Sequence, residues 1–467
     1  MAWRLTIPSP LVIGSLLAVM LSLPTPTASS VPDLVLRGGH RFDTTRQVMV
    51  KNTGIVVIRG RFMQVGGDPT AFAGPGAKIV TLADDDYILP GLIDLHAHYN
   101  MTLNKIRREE TRSMPIIYLA NGVTLTFPAG ELDPEAMLAA RRRIEAGEQV
   151  GPRLLSSGPY FGPARPGWNP DATSEEIRRE IDFWASRGVA GIKVKRISAR
   201  HLAAVIEAAH AHGLTVTGHL DSGFHDTVNS RDAIRMGIDR IEHFLGGDAI
   251  DPARPAYDSL VDVTPGTPAF ARIVDLFLKA HVYFDATLTA YGYFADRGEA
   301  YDPWVEERQF FTPYARQITG NRRPRIEAFG RIYEVKQATL KAFFDAGGAG
   351  LITLGTDHAS TGEFLPGFSV HREMHAMVLA GLPAAAVLDI ATINGARALN
   401  LGDRLGSVET GKWADLIVVR GNPLADITNT RQVRAVMKNG VLYDPGELLD
   451  SVRDTIGPAD ASEAADW

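Results

Sequence analysis

Short apolar runs closed by glycine or a polar residue recur along most of the chain, and what lies between them changes from region to region. From residue 33 to residue 90 the runs sit close together. "DLVLRGG", "GIVVIRGRFMQVGG" and "AKIVTLADDDYILPG" are β-branched and broken by glycine and charge, the signature of short strands joined by turns. No helical period runs through this region. Segments of the same character return as "ADLIVVRG" (414–421) and "VRAVMKNGVLYD" (433–444). The two ends are therefore expected to combine into one small β domain, residues 31–90 plus 404–448, split by everything between. The small, acidic residues at the end of segment 449–467 read as a disordered tail.

Between the ends, strand and helix patterns alternate. "AGIKVK" (190–195) reads as a strand. Ser198 then caps a helix that lines up Leu202, Val205, Ile206 and Ala209 on one face, and Gly213 stops it. The strand "LTVTGHL" (214–220), a brief helix past Ser230 ending near Gly237, and the strand "IDRIEHF" (238–244) follow as consecutive βαβ. "GLIDLHAH" (91–98), "GVTLTFPAG" (122–130), "PRLLSSG" (152–158), "HVYFDATLT" (281–289) and "GLITLGTD" (350–357) bring the strands to eight. The pattern predicts an α/β fold: a (β/α)8 TIM-like barrel over residues 91–403 with a small β-sandwich domain built from both chain ends. An open doubly wound sheet is the alternative, but no glycine-rich phosphate loop follows the first strand. Residues 296–332, rich in charge and aromatics, read as an insertion over one face.

Composition narrows the function. A chain of 467 residues favours one large domain with a smaller partner. Hydrophobic residues at 45% and charged residues at 22% argue against both disorder and a multi-span membrane protein. A net charge of -6 lacks the basic face that a nucleic-acid partner demands. The first 30 residues stand apart: Arg4 precedes "LVIGSLLAVMLSL" (11–23) and then "PTPTASS". This is the layout of a secretory signal peptide, with an uncleaved anchor as the alternative. The apolar run is too short to span a bilayer comfortably, so no stable membrane span is expected after its removal, and the mature chain is expected in the periplasm or secreted. Zero cysteine excludes disulfides, thiolate ligands and thiol nucleophiles.

Polar residues sit at the strand ends. His96 and His98 close the first strand, two apart and so on one face. Lys193 lies in the fourth, His219 ends the fifth, His243 the sixth and Asp357 the eighth. In a barrel these positions converge on the face where active sites are built. Four neutral imidazoles and a carboxylate suit zinc, with manganese, iron or cobalt as alternatives. A lysine ammonium does not belong among metal ligands, but its amine can take up carbon dioxide to become a carbamate able to bridge two metals. Lys195 shares that strand face, and geometry alone permits either lysine. Tyr99 and His358, at loop starts, and Tyr160, with Phe161 and Arg165 in the loop after the third strand, are candidates for substrate contact.

The set "PGLIDLHAH", "GIKV", "GHL", "IEH", "LGTD" and "ATINGARALNLGDRLGSVETGKWADLIVV" (391–419) resembles the amidohydrolase superfamily, within it the imidazolonepropionase-like and lysine-bridged Xaa-Pro dipeptidase-like group. Gly395 stands where that group usually has proline. The resemblance implies that His96 and His98 with Asp357 hold one divalent metal, that His219 and His243 hold a second, and that carbamylated Lys193 rather than Lys195 joins them. It implies two zinc ions sharing a hydroxide, with Asp357 as general base and then general acid on a C-N bond in an amide, cyclic amide or small peptide. A lactonase or organophosphate esterase on the same site remains the nearest alternative. A mononuclear deaminase would carry an acid three residues after His219, where Ser222 stands. A scaffold without catalysis would have lost ligands, and none is missing. The partner expected is a small-molecule substrate, and a homo-oligomer is compatible with everything above.

Overall fold

The computed structural model describes residues 34–69, 76–103, 106–220, 227–245, 263–295, 305–319, 327–358 and 365–466. The expected signal peptide and Ser222 lie outside the described residues. Among those described, no helix is long and apolar enough to cross a membrane.

The two ends of the chain meet in one sheet. Lys78–Pro90 pairs in parallel with Leu34–Asp43 on one side and antiparallel with Leu416–Arg420 on the other. Val433–Lys438 and Val441–Tyr443 extend the sheet beyond the C-terminal strand, and Ile55–Ile58 and Arg61–Val65 extend it beyond the N-terminal one. Alternate residues point to one side, so Leu34, Leu36, Ile55, Val57, Phe62, Leu416 and Val418 gather into a core of their own.

Eight parallel strands carry the rest: Leu92–Ala97, Val123–Pro128, Arg153–Leu154, Gly191–Lys195, Thr215–His219, Arg240–Glu242, Tyr283–Asp285 and Ile352–Thr353. They pair as a group of three and, with Tyr160–Phe161, a group of six. Irregular backbone hydrogen bonds link the groups at both seams. Ala190 N donates to Ser156 O (2.8 Å) between the third and fourth strands, and Leu95 N donates to Leu354 O (2.9 Å) between the first and the eighth. Every residue of Leu92–Ala97 is buried, as expected of a strand covered on both faces.

Local chemistry starts and stops the covering helices. The Ser198 side chain accepts from His201 N to cap Ala199–Ala211. Thr173 and Glu176 form a reciprocal capping box on Ser174–Ser186. Gly237, at φ 100°, ends Ser230–Met236 in the left-handed conformation.

One expectation needs correction. The segment after residue 449 is no loose tail: Val452 and Ile456 are buried, Thr455 Oγ1 lies 2.8 Å from Ser113 Oγ, and Ala461–Asp466 is helical. Two buried apolar side chains and backbone hydrogen bonds to residues 309–312 outweigh the acidic composition. Gly395 lies within helical backbone that already runs from Ala384. A Cβ there would meet Ile93 Cγ2 at 2.9 Å, so the small residue lets this segment close on the first strand. The described parts of the insertion, Val305–Phe310 and Pro313–Thr319 with the long helix Glu327–Asp345, pack against the barrel, where Glu307 pairs with the fully buried Arg372.

Candidate active site

The first strand delivers His96 and His98 to the barrel mouth, both buried. Asp357 joins them from the eighth strand: its Oδ1 lies 3.3 Å from His96 Nε2 and 2.9 Å from His98 Nε2. The Asp357 backbone is left-handed, φ 57°, and its amide donates to His96 O (2.9 Å). Burial drives the His98 imidazole down to about pKa 3 and keeps it neutral. Burial opposes charge on Asp357 as well, but the His96 and His98 imidazoles overcome it and hold the carboxyl well below its ordinary range.

Beside this trio lies a second group. His96, Glu242 and His243 each present a ligand atom within 4.8 Å of the others. The His219 ring packs edge-on against His243 with centroids 4.1 Å apart. His243 Nδ1 faces Thr287 Oγ1 at 2.7 Å, and that hydroxyl already donates to Ala286 O (2.8 Å). The imidazole must therefore donate from Nδ1, which leaves a lone pair on Nε2. His243 itself is left-handed, φ 67°. Its carbonyl accepts from Lys336, an ammonium held over the rings of Phe244 and Tyr291.

Lys193 is buried, and its amine contacts Glu242 Oε2, while Glu242 Oε1 accepts from Thr217 Oγ1 (2.8 Å). Burial first, and the neighbouring Lys195 second, push the Lys193 amine well below its usual basicity. Lys195 sits nearer the rim, half-buried, with its Nζ 5.9 Å from the centre of the Tyr160 ring.

Three acids that sequence reasoning missed complete the arrangement. Glu242 directly precedes His243, so strand alternation assigns them to opposite faces; the left-handed turn at His243 lets both reach the site. Asp285 ends the seventh strand, fully buried, with Oδ2 3.5 Å from His96 Nδ1. Its position after "HVYF" was the available signal. Gly355 makes room for it, since a Cβ there would lie 2.0 Å from Asp285 Oδ2. Asp94, raised to about pKa 7 chiefly by burial, braces the floor by accepting from His96 N (3.0 Å) and Thr356 Oγ1 (2.8 Å).

The proposed substrate contacts divide. Tyr99 points away from the mouth, buried with its hydroxyl 2.8 Å from Thr126 Oγ1, so it is a packing residue. His358 is buried beside Asp357 and lowered to about pKa 4 by burial. Tyr160 lies at the site's edge, its ring against Gly130, where a Cβ would approach to 2.2 Å. Phe161 is fully buried, and Arg165 pairs with Glu180 away from the ligand groups.

The residues fit a divalent cation. His96 Nδ1 and His243 Nε2 are buried without a hydrogen-bond partner, and each is crowded by carboxylates or imidazoles, an arrangement that costs free energy unless something electropositive is bound.

Known proteins agree on the architecture. The chain is 24% identical over 448 residues to adenine deaminase 3 of Rhizobium meliloti, covering 92% of this chain and 61% of that protein. A stretch of 137 residues is 32% identical to a 5-methylthioadenosine/S-adenosylhomocysteine deaminase of Teredinibacter turnerae, covering 25% of this chain and 30% of the relative. The chain thus spans less than two thirds of the length of these relatives. Among solved structures, a Xaa-Pro dipeptidase with methionine in its active site superposes with a TM-score of 0.66 at 20% identity, covering 88% of this chain and 100% of that one. Molinate hydrolase superposes with a TM-score of 0.65 at 21% identity, covering 92% and 98%. At such identity the superpositions speak for the fold, a TIM barrel with a small β domain. A family model matches residues 87–443, from the strand before the His pair to the last strand of the end sheet, and the chain therefore belongs to the amidohydrolase family.

Proposed function

We propose that the protein is a binuclear metal-dependent hydrolase of C-N bonds in amides, cyclic amides or small peptides. The observation that carries this reading is the pair of ligand groups sharing His96, with two buried imidazole nitrogens, His96 Nδ1 and His243 Nε2, that make no hydrogen bond. His96, His98 and Asp357 would hold one divalent ion, His219 and His243 the other, probed first with zinc. Bound there, the ions supply a water acidic enough to attack near neutral pH and polarise the bond under attack.

The chain's own groups do the rest. Asp357, its carboxylate kept ionised by the imidazoles around it, takes the proton of the attacking water and returns it to the leaving nitrogen. Thr287 fixes the His243 tautomer. Burial disfavours the charged form of Lys193, and the neutral amine is the form whose nitrogen attacks carbon dioxide; the proton shed in that step has Glu242 Oε2 in contact as its acceptor. The resulting carbamate would give the two ions a shared anion. Export of the mature chain belongs to the same proposal and is supported by the N-terminal apolar run.

The test is metal content together with turnover. Purified protein loaded with zinc and bicarbonate should hold two ions per chain, hydrolyse members of a panel of N-acyl amino acids, dipeptides and hydantoin-like rings, and lose activity to a chelator. Turnover confined to lactones or phosphate triesters would overturn the C-N assignment while leaving the metal site standing. The deaminase names of the curated relatives favour a second reading. One ion per chain and ammonia release from adenine would establish it instead.

A further inference from the structure

Where the sixth strand gives way to its loop, the backbone turns on His243. Phe244 N donates to Glu242 O (2.8 Å) across it, which closes a three-residue turn about a residue at φ 67°, the rare and strained form of the γ-turn. Pairing with the seventh strand ends at Glu242 and Asp285, and the His243 amide adds one bond more, to Asp285 O (2.7 Å). The His243 carbonyl lies past the last strand pair, and it accepts from Lys336 Nζ.

Lys336 interrupts an apolar pattern. On the helix Glu327–Asp345 its neighbours at helical spacing, Ile332, Tyr333, Leu340 and Phe343, are all buried, so the lysine sits inside the stripe that packs this helix on the barrel. Only 3% exposed, an ammonium there is costly unless both its donors and its charge find partners. The carbonyl of His243 takes one donor, and the ring centres of Phe244 and Tyr291 lie 4.4 and 4.3 Å from Nζ, within reach of a cation-π contact. The two rings come from different loops. Phe244 follows His243, whereas Tyr291 lies on Leu288–Gly292, the helix entered directly from Thr287, whose hydroxyl holds His243 Nδ1. One ammonium thus joins the loop after the sixth strand to the loop after the seventh, and His243 is gripped by its carbonyl from one side of the junction and by its ring from the other.

We propose that Lys336 is a positioning residue: it holds the strained turn that carries His243 Nε2 to the second metal position, and it touches neither metal nor substrate. The inference rests on the binuclear reading of the same site. An apolar side chain of similar length would satisfy the helix stripe and leave the turn free to relax, so metal affinity and packing report separately on this residue.

The experiment is a zinc titration of metal-free protein against a chromophoric chelator, repeated with cobalt, whose visible absorption reports the ligand geometry around each ion. The wild type should bind two ions. Lys336→Met keeps the length of the side chain and removes its donors and charge; the second ion should then bind about 10- to 100-fold more weakly, the range for losing a group that supports a metal ligand, while the first binds as before. Lys336→Arg should recover part of that loss. Combined with Thr287→Val, Lys336→Met should weaken the second ion by less than the product of the separate effects, because both act on one imidazole. Wild-type affinities for both ions in Lys336→Met would overturn the proposal, and so would equal weakening of the two, the mark of a general loss of packing. If Lys336→Met does not fold, Tyr291→Leu decides in its place, since it strips one ring from the ammonium and leaves the carbonyl bond: selective weakening of the second ion supports the proposal, and two unchanged ions overturn it. A wild type that takes up one ion or none would bring down the binuclear reading itself.

Discussion

The end sheet buries Leu34, Leu36, Ile55, Val57, Phe62, Leu416 and Val418, all apolar, whereas the barrel mouth buries His96, His98, Lys193, Glu242, His243 and Asp285. Four non-glycine residues just past barrel strands take positive φ: Arg196 at 57°, His243 at 67°, Thr287 at 45° and Asp357 at 57°. Left-handed backbone is costly for a β-branched residue such as Thr287. One region is arranged for burial of carbon and the other holds polar groups where burial alone would not leave them. Stability and activity should therefore respond to different substitutions.

The sharpest break is Asp357→Asn, which keeps the size and tolerates left-handed backbone but removes the base. Turnover should fall by about 10³-fold, while thermal unfolding shows a midpoint at least equal to that of the wild type. In the end sheet the effect inverts: Phe62→Ala should cost about 3 to 5 kcal/mol in denaturant unfolding and leave kcat of the folded fraction unaltered. Between the extremes, Thr287→Val preserves shape and deletes only the hydroxyl that fixes His243, so zinc affinity in a competition titration should drop about 10- to 100-fold. A further effect concerns His371, held between Thr430 Oγ1 and Asn121 O. Burial lowers it to about pKa 4. Its folded value lies below its unfolded one, so the stability it allows is complete above the unfolded value of about 6.5 and is lost as pH falls toward 4. His371→Gln should flatten that part of the unfolding curve between pH 6.5 and 4.

Much of this contrast was legible in the sequence. The eight apolar runs correspond to the eight barrel strands, because parallel strands are buried on both faces and stand out as continuous hydrophobic stretches. Polar residues that terminate such runs were equally visible, which is how His96, His98, Lys193, His219, His243 and Asp357 were singled out. Glu242 was hidden because a local left-handed turn breaks the alternation on which face assignment depends. Tyr99 was misread for the opposite reason: adjacency along the chain was taken for adjacency in space. The closing segment was misjudged because composition weighs every residue alike, whereas the burial of Ile456 and Val452 and the backbone hydrogen bonds to residues 309–312 decide where it lies.

The strand Lys78–Pro90 is sandwiched between a neighbour already synthesised and one that does not exist until residue 416 has left the ribosome. Throughout elongation its outer edge offers unsatisfied amides and carbonyls to any extended peptide nearby. A nascent chain of this layout cannot complete its end sheet until its last strands are made.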